Sequence, residues 1–266
     1  MDTFLKWAGG KRWLLSRTDE LLPDMRITKR YLEPFLGGGS MFFHLEPQTA
    51  LLSDINEDLI NTYDVLRDRW YDLFEILKKY HKAHCKDFYY RIRSSKPKTP
   101  INRAARFIYL NRTCWNGLYR VNQKGEFNVP IGTKKTVIFE TDNFEQLSAL
   151  LKNVQLNVCD FEVTINKAEK NDFIFIDPPY TIKHNLNGFL KYNETIFSWE
   201  DQVRLKNAIT RAISRGAKVL VTNANHKSIK ELYSNCGKMI ALDRPSVIAG
   251  RPKDRGIYSE LAITNR

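Results

Sequence analysis

Four adjacent residues have the types needed to hold a planar base that carries an exocyclic amine. Asp177, Pro178, Pro179 and Tyr180 directly follow the continuously apolar run 173–176. The two prolines remove two backbone N–H donors and stiffen the chain. The Asp177 carboxylate and the Pro178 carbonyl then offer two acceptors for amine protons, beside an aromatic ring that can stack on the base. The structural alternative is a rigid strand exit with a buried tyrosine.

A glycine-rich segment, EPFLGGGS at 33–40, follows an earlier apolar run. Glycines there let the backbone approach a ligand at the end of a strand, where open α/β sheets bind cofactors, although a structural tight turn has the same composition. The dinucleotide fingerprint needs glycine at position 42, and Phe42 argues against a nicotinamide or flavin enzyme. Asp54 ends the next run, where it can accept both hydroxyl protons of a ribose or cap the helix that follows.

Short apolar runs alternate with helical patterns through much of the chain, which is typical of an α/β sheet with crossover helices. A helix is predicted from the cap Ser198 to Gly216. The predicted strands are 31–35, 50–53, 155–158, 173–176 and 218–222, followed by an antiparallel pair, 239–243 and 259–263, around a turn at 249–256.

The stretch between the second and third predicted strands breaks this alternation. Apolar residues recur every three or four positions over 57–80, which predicts an amphipathic helix. Residues 103–110 also have a helical pattern, and 118–130 is predicted to form a hairpin around Lys124-Gly125. We therefore predict an α/β domain, 1–56 and 141–266, that is split by a mainly helical insertion at 57–140.

The charge of the chain is concentrated in this insertion. The 266 residues carry a formal net charge of +12. Residues 82–139 hold 13 basic side chains and two acidic ones, a net +11, which leaves +1 for the rest of the chain. A solvated basic face is the alternative, but such asymmetry favours an interaction surface for a polyanion such as nucleic acid.

Several other protein classes are disfavoured. No apolar stretch approaches the 18 residues of a membrane span, and 1–11 lacks the apolar region of a signal peptide. Four widely spaced cysteines without a CxxC pair predict reduced cytoplasmic thiols. His81, His84 and Cys85 form a small cluster, which is more typical of a polar helix face than of a metal site. No metal is expected.

Seven motifs follow one another in order along the chain. They are FLKWAGGK (4–11), EPFLGGGS (33–40), SDIN (53–56), LNRTCWNGLYRVN (110–122), GEFNVPIG (125–132), CDF (159–161) and DPPY (177–180). In this order, with a match that continues to 259–265, they resemble the Dam-type DNA adenine-N6 methyltransferases, the α group of the D12 class. DPPY alone is less specific, because it or its Asn-headed relative also occurs in enzymes that methylate RNA bases or protein glutamine.

The resemblance implies a Rossmann-like methyltransferase sheet, mostly parallel with an antiparallel C-terminal strand, and S-adenosylmethionine as cofactor, with S-adenosylhomocysteine as product. Trp7 and Lys11 would bind its methionine end, Asp54 its ribose, and Asp160 and Phe161 its adenine. The full set of implied cofactor residues is Trp7, Lys11, Phe35, Gly37, Gly39, Ser40, Asp54, Asp160, Phe161 and Asp177. Taken singly, Trp7 could be a core aromatic and Lys11 a surface lysine.

The implied reaction is direct transfer of a methyl group to the adenine N6 amine, with Asp177, Pro178, Pro179 and Tyr180 as the catalytic residues. Because the target amine is not accessible inside a stacked duplex, the base must flip out. Arg120 would pair with a guanine edge, and Trp115 would wedge into the gap left by flipping. The implied DNA-binding residues are Lys6, Arg112, Trp115, Asn116, Leu118, Arg120, Asn122, Asn128 and Pro130.

Structural alternatives exist for two of these contacts. Trp115 could pack in the base of the hairpin, and Arg112 could form a structural ion pair. Residues 133–140 depart from the family pattern, with Thr133 and Lys134 where basic and aromatic residues often follow the glycine. The outer base contacts are therefore not predicted.

Together these features predict a cytoplasmic, monomeric, bacterial or phage-encoded enzyme that methylates adenine in double-stranded DNA, at GATC or a related short site. An RNA-base or protein-amide methyltransferase would share the DPPY site but leaves the NGLYR segment unexplained. A non-catalytic DNA-binding module would explain the basic insertion but leaves DPPY, Asp54 and the glycine segment without a purpose.

Overall fold

One seven-stranded sheet organises the chain. The structure, a computed structural model, describes residues 3–7, 9–122, 125–182, 197–245 and 257–266. The strands are β1 Tyr31–Glu33, β2 Ala50–Asp54, β3 Val154–Val158, β4 Phe173–Ile176, β5 Lys218–Ala224, β6 Lys238–Pro245 and β7 Ile257–Thr264. All seven predicted strands are present. The predicted turn at 249–256 lies outside the described residues.

The strand order is β3-β2-β1-β4-β5-β7-β6. β1 pairs in parallel with β2 and β4, and β4 pairs in parallel with β5. β7 runs antiparallel to both β5 and β6. The predicted mostly parallel sheet with an antiparallel C-terminal strand is confirmed.

The order of the strands reverses between β1 and β4, which lie side by side with Tyr31 opposite Phe173. Open α/β sheets bind ligands outside the carboxyl ends of the strands at such a switch point. Phe35 follows the end of β1, and Asp177 directly follows β4. The topology therefore places the DPPY segment where a ligand site is expected.

In the described parts of the chain, the α-helices are α1 Thr18–Leu21, α2 Ser40–Leu45, α3 Glu57–Ala83, α4 Lys86–Ser94, α5 Pro100–Thr113, α6 Phe144–Leu151, α7 Phe161–Asn166, α8 Trp199–Ser214 and α9 Lys227–Leu232. α8 begins with a capping box between Ser198 and Asp201 and ends before Gly216, whose φ is +91°, as predicted. Within the described ranges, no helix is long and apolar enough to cross a membrane.

The predicted amphipathic helix is α3, which continues to Ala83. The side chain of Asn56 caps its start by accepting a hydrogen bond from Leu59 N. The backbone at Arg69 is not helical (φ −142°, ψ 36°) and interrupts the helix. The helical spacing predicts the buried face correctly, since Leu59, Tyr63, Leu66, Leu73 and Leu77 are buried.

The predicted hairpin at 118–130 is present in a reduced form. Val121 and Phe127 form an isolated bridge, and Asn128 N donates to Arg120 O at 3.2 Å. The described part of this segment has no continuous strand ladder, and Lys124 of the predicted turn lies outside it. The segment is therefore a reduced hairpin, held by isolated contacts. We call residues 115–131 the recognition hairpin, after the role that is predicted for it.

The chain divides into two compact units. The first contains residues 1–12, 36–48 and 54–158, and the second contains 13–35, 49–53 and 159–266. The insertion predicted at 57–140 falls in the first unit. The second unit has an apolar core between the sheet and its helices, in which Ile174, Val219 and Leu205 are almost fully buried.

Candidate active site and nucleic-acid interface

The Asp177 carboxylate is held by a neighbouring strand. β4 and β5 run in parallel with Ile176 opposite Val221, so Asp177 comes next to Thr222. The Thr222 hydroxyl donates to Asp177 Oδ1 at 2.6 Å, and Thr222 is fully buried. A carboxylate fixed in this way has a defined orientation and does not need to reorient when a ligand binds.

The Tyr180 hydroxyl is also held from another strand. It donates to Glu260 Oε2 at 2.6 Å, and Glu260 lies on β7 with 4% of its surface exposed. Burial is the main cause that raises the pKa of Tyr180 well above its usual value, and the negative charges of Asp177 and Glu260 add to it. Tyr180 therefore remains protonated and acts as a donor. Of the two prolines between Asp177 and Tyr180 in the sequence, Pro178 is buried and Pro179 is half-buried.

The glycine segment lies between two aromatic side chains of the first unit. Gly37 has φ +47°, and a Cβ there would lie 2.7 Å from Cδ1 of Trp7. A Cβ on Gly39 would lie 2.8 Å from the hydroxyl of Tyr63, which itself donates to Gly37 O at 3.1 Å. Only glycine fits these two positions, because both the backbone conformation and the space exclude a side chain.

Asp54 is fixed by the backbone of this segment. Its Oδ2 accepts from Gly37 N at 3.1 Å, and its Oδ1 accepts from Asn56 N at 3.0 Å. Burial raises the pKa of Asp54, and the backbone N–H groups partly oppose that shift. The helix-cap alternative for Asp54 is wrong, because Asn56 caps α3.

The first motif, FLKWAGGK, packs on the same segment and on the recognition hairpin. Trp7 stacks on Phe107 and Tyr119 with ring centroids 6.3 and 5.7 Å apart. Lys11 is 4% exposed, and its ammonium donates to Gly9 O at 2.7 Å. The surface-lysine alternative is therefore wrong. Ser40 is half-buried at the start of α2.

The remaining predicted cofactor residues lie in the second unit. Phe35 stacks on Phe161 with centroids 5.4 Å apart. Asp160 caps α7 by accepting from Glu162 N at 2.9 Å, and its other oxygen accepts from Arg204 at 2.7 Å. The structure thus brings Phe35 and Phe161 together and gives Asp160 two protein partners.

The predicted DNA-binding residues lie mostly on the surface of the recognition hairpin. Asn116 and Gly117 have φ values of +56° and +65°, the pair of left-handed residues that a type I′ turn requires. This turn projects Trp115, whose surface is 53% exposed. The packing alternative for Trp115 is therefore not what the structure shows. The other exposed residues of the set are Lys6, Asn116, Leu118, Arg120, Asn128 and Pro130.

Lys6 reaches this surface from the N-terminal segment. Its alkyl chain lies against Gly117, where a Cβ would come within 2.8 Å of Lys6 Cδ. Partial burial, followed by the nearby charge of Lys134, lowers the pKa of Lys6. Arg120 Nε donates to Asn128 Oδ1 at 3.0 Å across the hairpin. Asn122 accepts from Glu126 N at 3.0 Å and so helps to close the turn.

Arg112 requires a correction. Only 1% of its surface is exposed, and it forms an ion pair with Asp142, in which Nη2 lies 2.8 Å from Oδ1. Its remaining donors bind the carbonyls of Phe4 and Val137. A guanidinium buried and paired to this extent does not reach a phosphate or a base edge. The prediction that Arg112 contacts DNA is wrong, and the alternative of a structural ion pair is right.

Sequence reasoning missed three residues that hold the site. Asn111 accepts from Lys6 N at 2.9 Å and donates to Lys6 O at 2.7 Å, which ties the N-terminal motif to α5. Thr222 and Glu260 hold Asp177 and Tyr180. A signal existed for Glu260, because it is the one charged residue in the apolar sequence IYSELAIT.

The His81–Cys85 cluster has local partners. Nδ1 of His81 accepts from Val137 N at 3.1 Å, and Nδ1 of His84 lies 2.9 Å from the Tyr109 hydroxyl. The described residues contain no group of three or more His, Cys, Asp or Glu that could hold a metal ion.

Comparison with known proteins places these features in a family. The profile of the D12 class N6 adenine-specific DNA methyltransferases matches residues 7–245. The type II methyltransferase M.MjaIII of Methanocaldococcus jannaschii is 39% identical over 98% of this chain and 98% of its own length. The type II methyltransferase M1.LlaDCHI of Lactococcus lactis subsp. cremoris is 35% identical, with 98% and 94% covered. The DNA adenine methylase of Escherichia coli K12 is 30% identical, with 98% and 94% covered.

Proposed function

Because the chain belongs to the D12 class of N6 adenine-specific DNA methyltransferases, we propose that it transfers a methyl group from S-adenosylmethionine to the N6 amine of an adenine flipped out of duplex DNA. The observation that carries this proposal is the DPPY segment at the end of β4, beside the point where the strand order reverses. An amine needs fixed acceptors there, and the Asp177 carboxylate is held in place by Thr222 at 2.6 Å.

The residues of the first unit suit the proposed cofactor. Asp54 presents a partly buried carboxylate for the ribose hydroxyls, next to Gly37 and Gly39, where no side chain fits. We assign the methionine end to Trp7 and Lys11, with Gly37, Gly39 and Ser40 beneath it. In the second unit, we assign the adenine to Asp160 and Phe161, with Phe35 stacked behind Phe161. When bound, the cofactor supplies an electrophilic methyl group on a sulfonium.

The residues of the tetrad act on the amine of the substrate. An adenine amine is a poor nucleophile because its lone pair is delocalised into the ring. Asp177 and the Pro178 carbonyl accept hydrogen bonds from the two amine N–H groups, which favours a pyramidal nitrogen whose lone pair is directed at the methyl group. The new N–C bond replaces the methyl–sulfur bond, whose electron pair stays on sulfur, and the methylated nitrogen then releases one proton to solvent. Pro179 keeps the backbone rigid, and the Tyr180 ring stacks on the base. The rate enhancement then comes from orientation and fixed dipoles.

The recognition hairpin and its basic surroundings supply DNA binding in this proposal. Arg120 donates to a guanine edge, and the exposed Trp115 fills the gap that the flipped base leaves. Lys6, Asn116, Leu118, Asn122, Asn128 and Pro130 complete the proposed contact set. GATC or a related short site is the proposed target, and the enzyme is proposed to act as a monomer in the cytoplasm of a bacterial or phage-infected cell.

Transfer of a radiolabelled methyl group tests this function. Purified protein and labelled S-adenosylmethionine are incubated in parallel with unmethylated plasmid DNA, total RNA and a protein mixture. We expect label only on the DNA, on N6 of adenine, and methylation-sensitive sequencing of the plasmid identifies the site. Label on RNA or protein alone, or no label on any substrate, would contradict the proposal.

A further inference from the structure

Glu260 is a buried charge whose partner is a residue of the proposed active site. It lies on β7, opposite Ala224 of β5 and Leu242 of β6, and its sequence neighbour Leu261 is 1% exposed. Burying a carboxylate is costly unless hydrogen bonds compensate for the lost water. The Tyr180 hydroxyl supplies such a bond at 2.6 Å. Among the side chains of β7 described here, Glu260 is the one that carries a charge.

Thr222 has the same relation to Asp177. It is fully buried on β5, and its hydroxyl donates to the carboxylate of Asp177 at 2.6 Å. A valine would fill the same volume in this apolar strand. The hydroxyl therefore adds a directional contact to a position where packing alone would not need one.

Each of these contacts restricts a side-chain position that the proposed reaction depends on. The terminal torsion of an Asp side chain has a broad energy well, so its rotamer preference alone does not fix the plane of the carboxylate. A bond from Thr222 to one carboxylate oxygen sets the plane in which Asp177 offers acceptors. A bond from Tyr180 to Glu260 anchors the far end of the ring that would stack on the base.

We infer that Thr222 and Glu260 are positioning residues for methyl transfer: Thr222 orients the Asp177 carboxylate, and Glu260 holds the hydroxyl end of the Tyr180 ring in place. This inference rests on the proposed function of the tetrad. Neither residue touches the substrate amine, and neither takes a proton during the reaction. Their effect is confined to the geometry in which Asp177 and Tyr180 meet the base.

Paired substitutions separate positioning from a purely structural role. Thr222→Val and Glu260→Met remove the hydrogen bond at nearly constant volume, whereas Thr222→Ser and Glu260→Gln keep a donor or an acceptor. We expect the first pair to lower the single-turnover rate of methyl transfer about tenfold, roughly the effect of one lost hydrogen bond. The second pair is expected to stay within about threefold of the wild type. The dissociation constants for S-adenosylmethionine and for DNA are expected to change by less than about threefold in all four variants.

Two controls make the result specific. Thr264→Val removes a buried hydroxyl from β7 outside the tetrad, where the hydroxyl bonds to Leu21 O, and is expected to leave the rate unchanged. In a Tyr180→Phe background, Glu260→Met should lower the rate no further, because the shared hydrogen bond is already absent. If Glu260→Met does not fold, Tyr180→Phe alone must show the same rate loss.

The outcomes distinguish the two proposals. If the wild type methylates DNA and Thr222→Val and Glu260→Met are equally fast, the positioning role is wrong and the proposed function stands. If these variants lose cofactor or DNA affinity in proportion to rate, or if the serine and glutamine variants do not restore the rate, the residues are structural. If the wild type transfers no methyl group to DNA, both proposals fall.

Discussion

Asp54 and Asp177, the carboxylates proposed to hold the cofactor ribose and the substrate amine, differ in exposure from the hairpin proposed for DNA recognition. Asp54 and Asp177 are half-buried and accept hydrogen bonds of 2.6 to 3.1 Å from other residues of the chain. Among its described residues, the recognition hairpin instead has two isolated bridges, Cys114–Ile131 at its base and Val121–Phe127, and it exposes Trp115 and Arg120.

The difference matches the ligand that is proposed for each region, a reacting amine in one case and a DNA surface in the other. A reacting amine benefits from acceptors that are already oriented, because reorganisation during the reaction would add to the barrier. A DNA surface varies in shape and is covered by counterions, so its reader gains from side chains that can adjust and displace ions. The following substitutions test whether the fixed carboxylates serve methyl transfer and cofactor binding while the exposed side chains serve DNA recognition.

Removal of the Asp177 carboxylate should have the largest effect. Asp177→Ala deletes one of the two proposed amine acceptors, and we expect methyl transfer to fall about a thousandfold. The dissociation constant for DNA should stay within about threefold of the wild-type value, because the recognition hairpin, and not Asp177, is proposed to hold the DNA backbone. Single-turnover labelling and a DNA-binding titration measure the two quantities. Asp243→Ala, at an exposed position of β6, is the matched control. A collapse of DNA binding would instead show that Asp177 is structural.

The buried Arg112 should affect stability where the exposed Arg120 does not. Arg112→Met leaves Asp142 buried without its cation, and we expect the free energy of unfolding to fall by about 3–5 kcal/mol. Arg120→Met should change it by less than about 0.5 kcal/mol, since surface substitutions have small effects. Urea denaturation of both variants gives the comparison. Equal stabilities would mean that the Arg112 ion pair is not formed in solution.

Loss of Arg120 should change which DNA sequences are methylated, and it should not slow methylation equally at all sequences. Arg120→Ala is expected to cost roughly 1–3 kcal/mol at the correct site and to relax preference at one base pair. Methylation of a library of duplexes that differ at each position of the site measures the preference. Lys98→Ala, an exposed basic residue of the same insertion, should weaken all sequences alike. An unchanged preference in Arg120→Ala would remove Arg120 from base recognition.

Cofactor affinity should depend on pH through Asp54. Burial raises the pKa of Asp54 above its ordinary 3.8, so its contribution to folding stability is largest below 3.8 and is lost as the pH rises through the folded-state value. In the proposed site, the ribose hydroxyls donate to the ionised carboxylate. S-adenosylmethionine affinity should therefore decline on acidification at a higher pH than for an ordinary aspartate, as calorimetry can measure. Asp54→Asn should bind S-adenosylmethionine weakly at every pH. If the affinity of this variant still declined on acidification, a group other than Asp54 would be responsible.

Single lysines of the insertion should have the smallest effect. Lys135→Ala removes one exposed charge, and the slope of log affinity for DNA against log salt should decrease in magnitude by about one. Cofactor affinity should not change. Lys152→Ala, outside the basic segment, should leave the slope unaltered. Equal slopes for all three proteins would show that Lys135 does not meet a phosphate.

The fold was largely predictable because its signals are local. Apolar runs such as 173–176 and the helical spacing of 57–80 report burial directly, and all seven strands and α3 followed from them. The hairpin was predicted less well, because it is held partly by contacts with another element, such as Tyr119 against Phe107 of α5 with ring centroids 4.7 Å apart. Among the predicted DNA-binding residues, Arg112 was wrong because its ion pair with Asp142, 30 positions away, leaves no local signal in the sequence.

The sequence by itself determined the family, the order of the motifs and the position of the basic segment, since these depend on residue types along one chain. Only the tertiary structure decided what each polar side chain binds. Arg112 and Arg120 are the same residue type eight positions apart, yet one is 1% exposed and paired with Asp142 while the other lies on the surface. Glu260 meets Tyr180 across 80 positions. Such pairs arise from strand order and register, which bring together residues whose sequence separation carries no signal of contact.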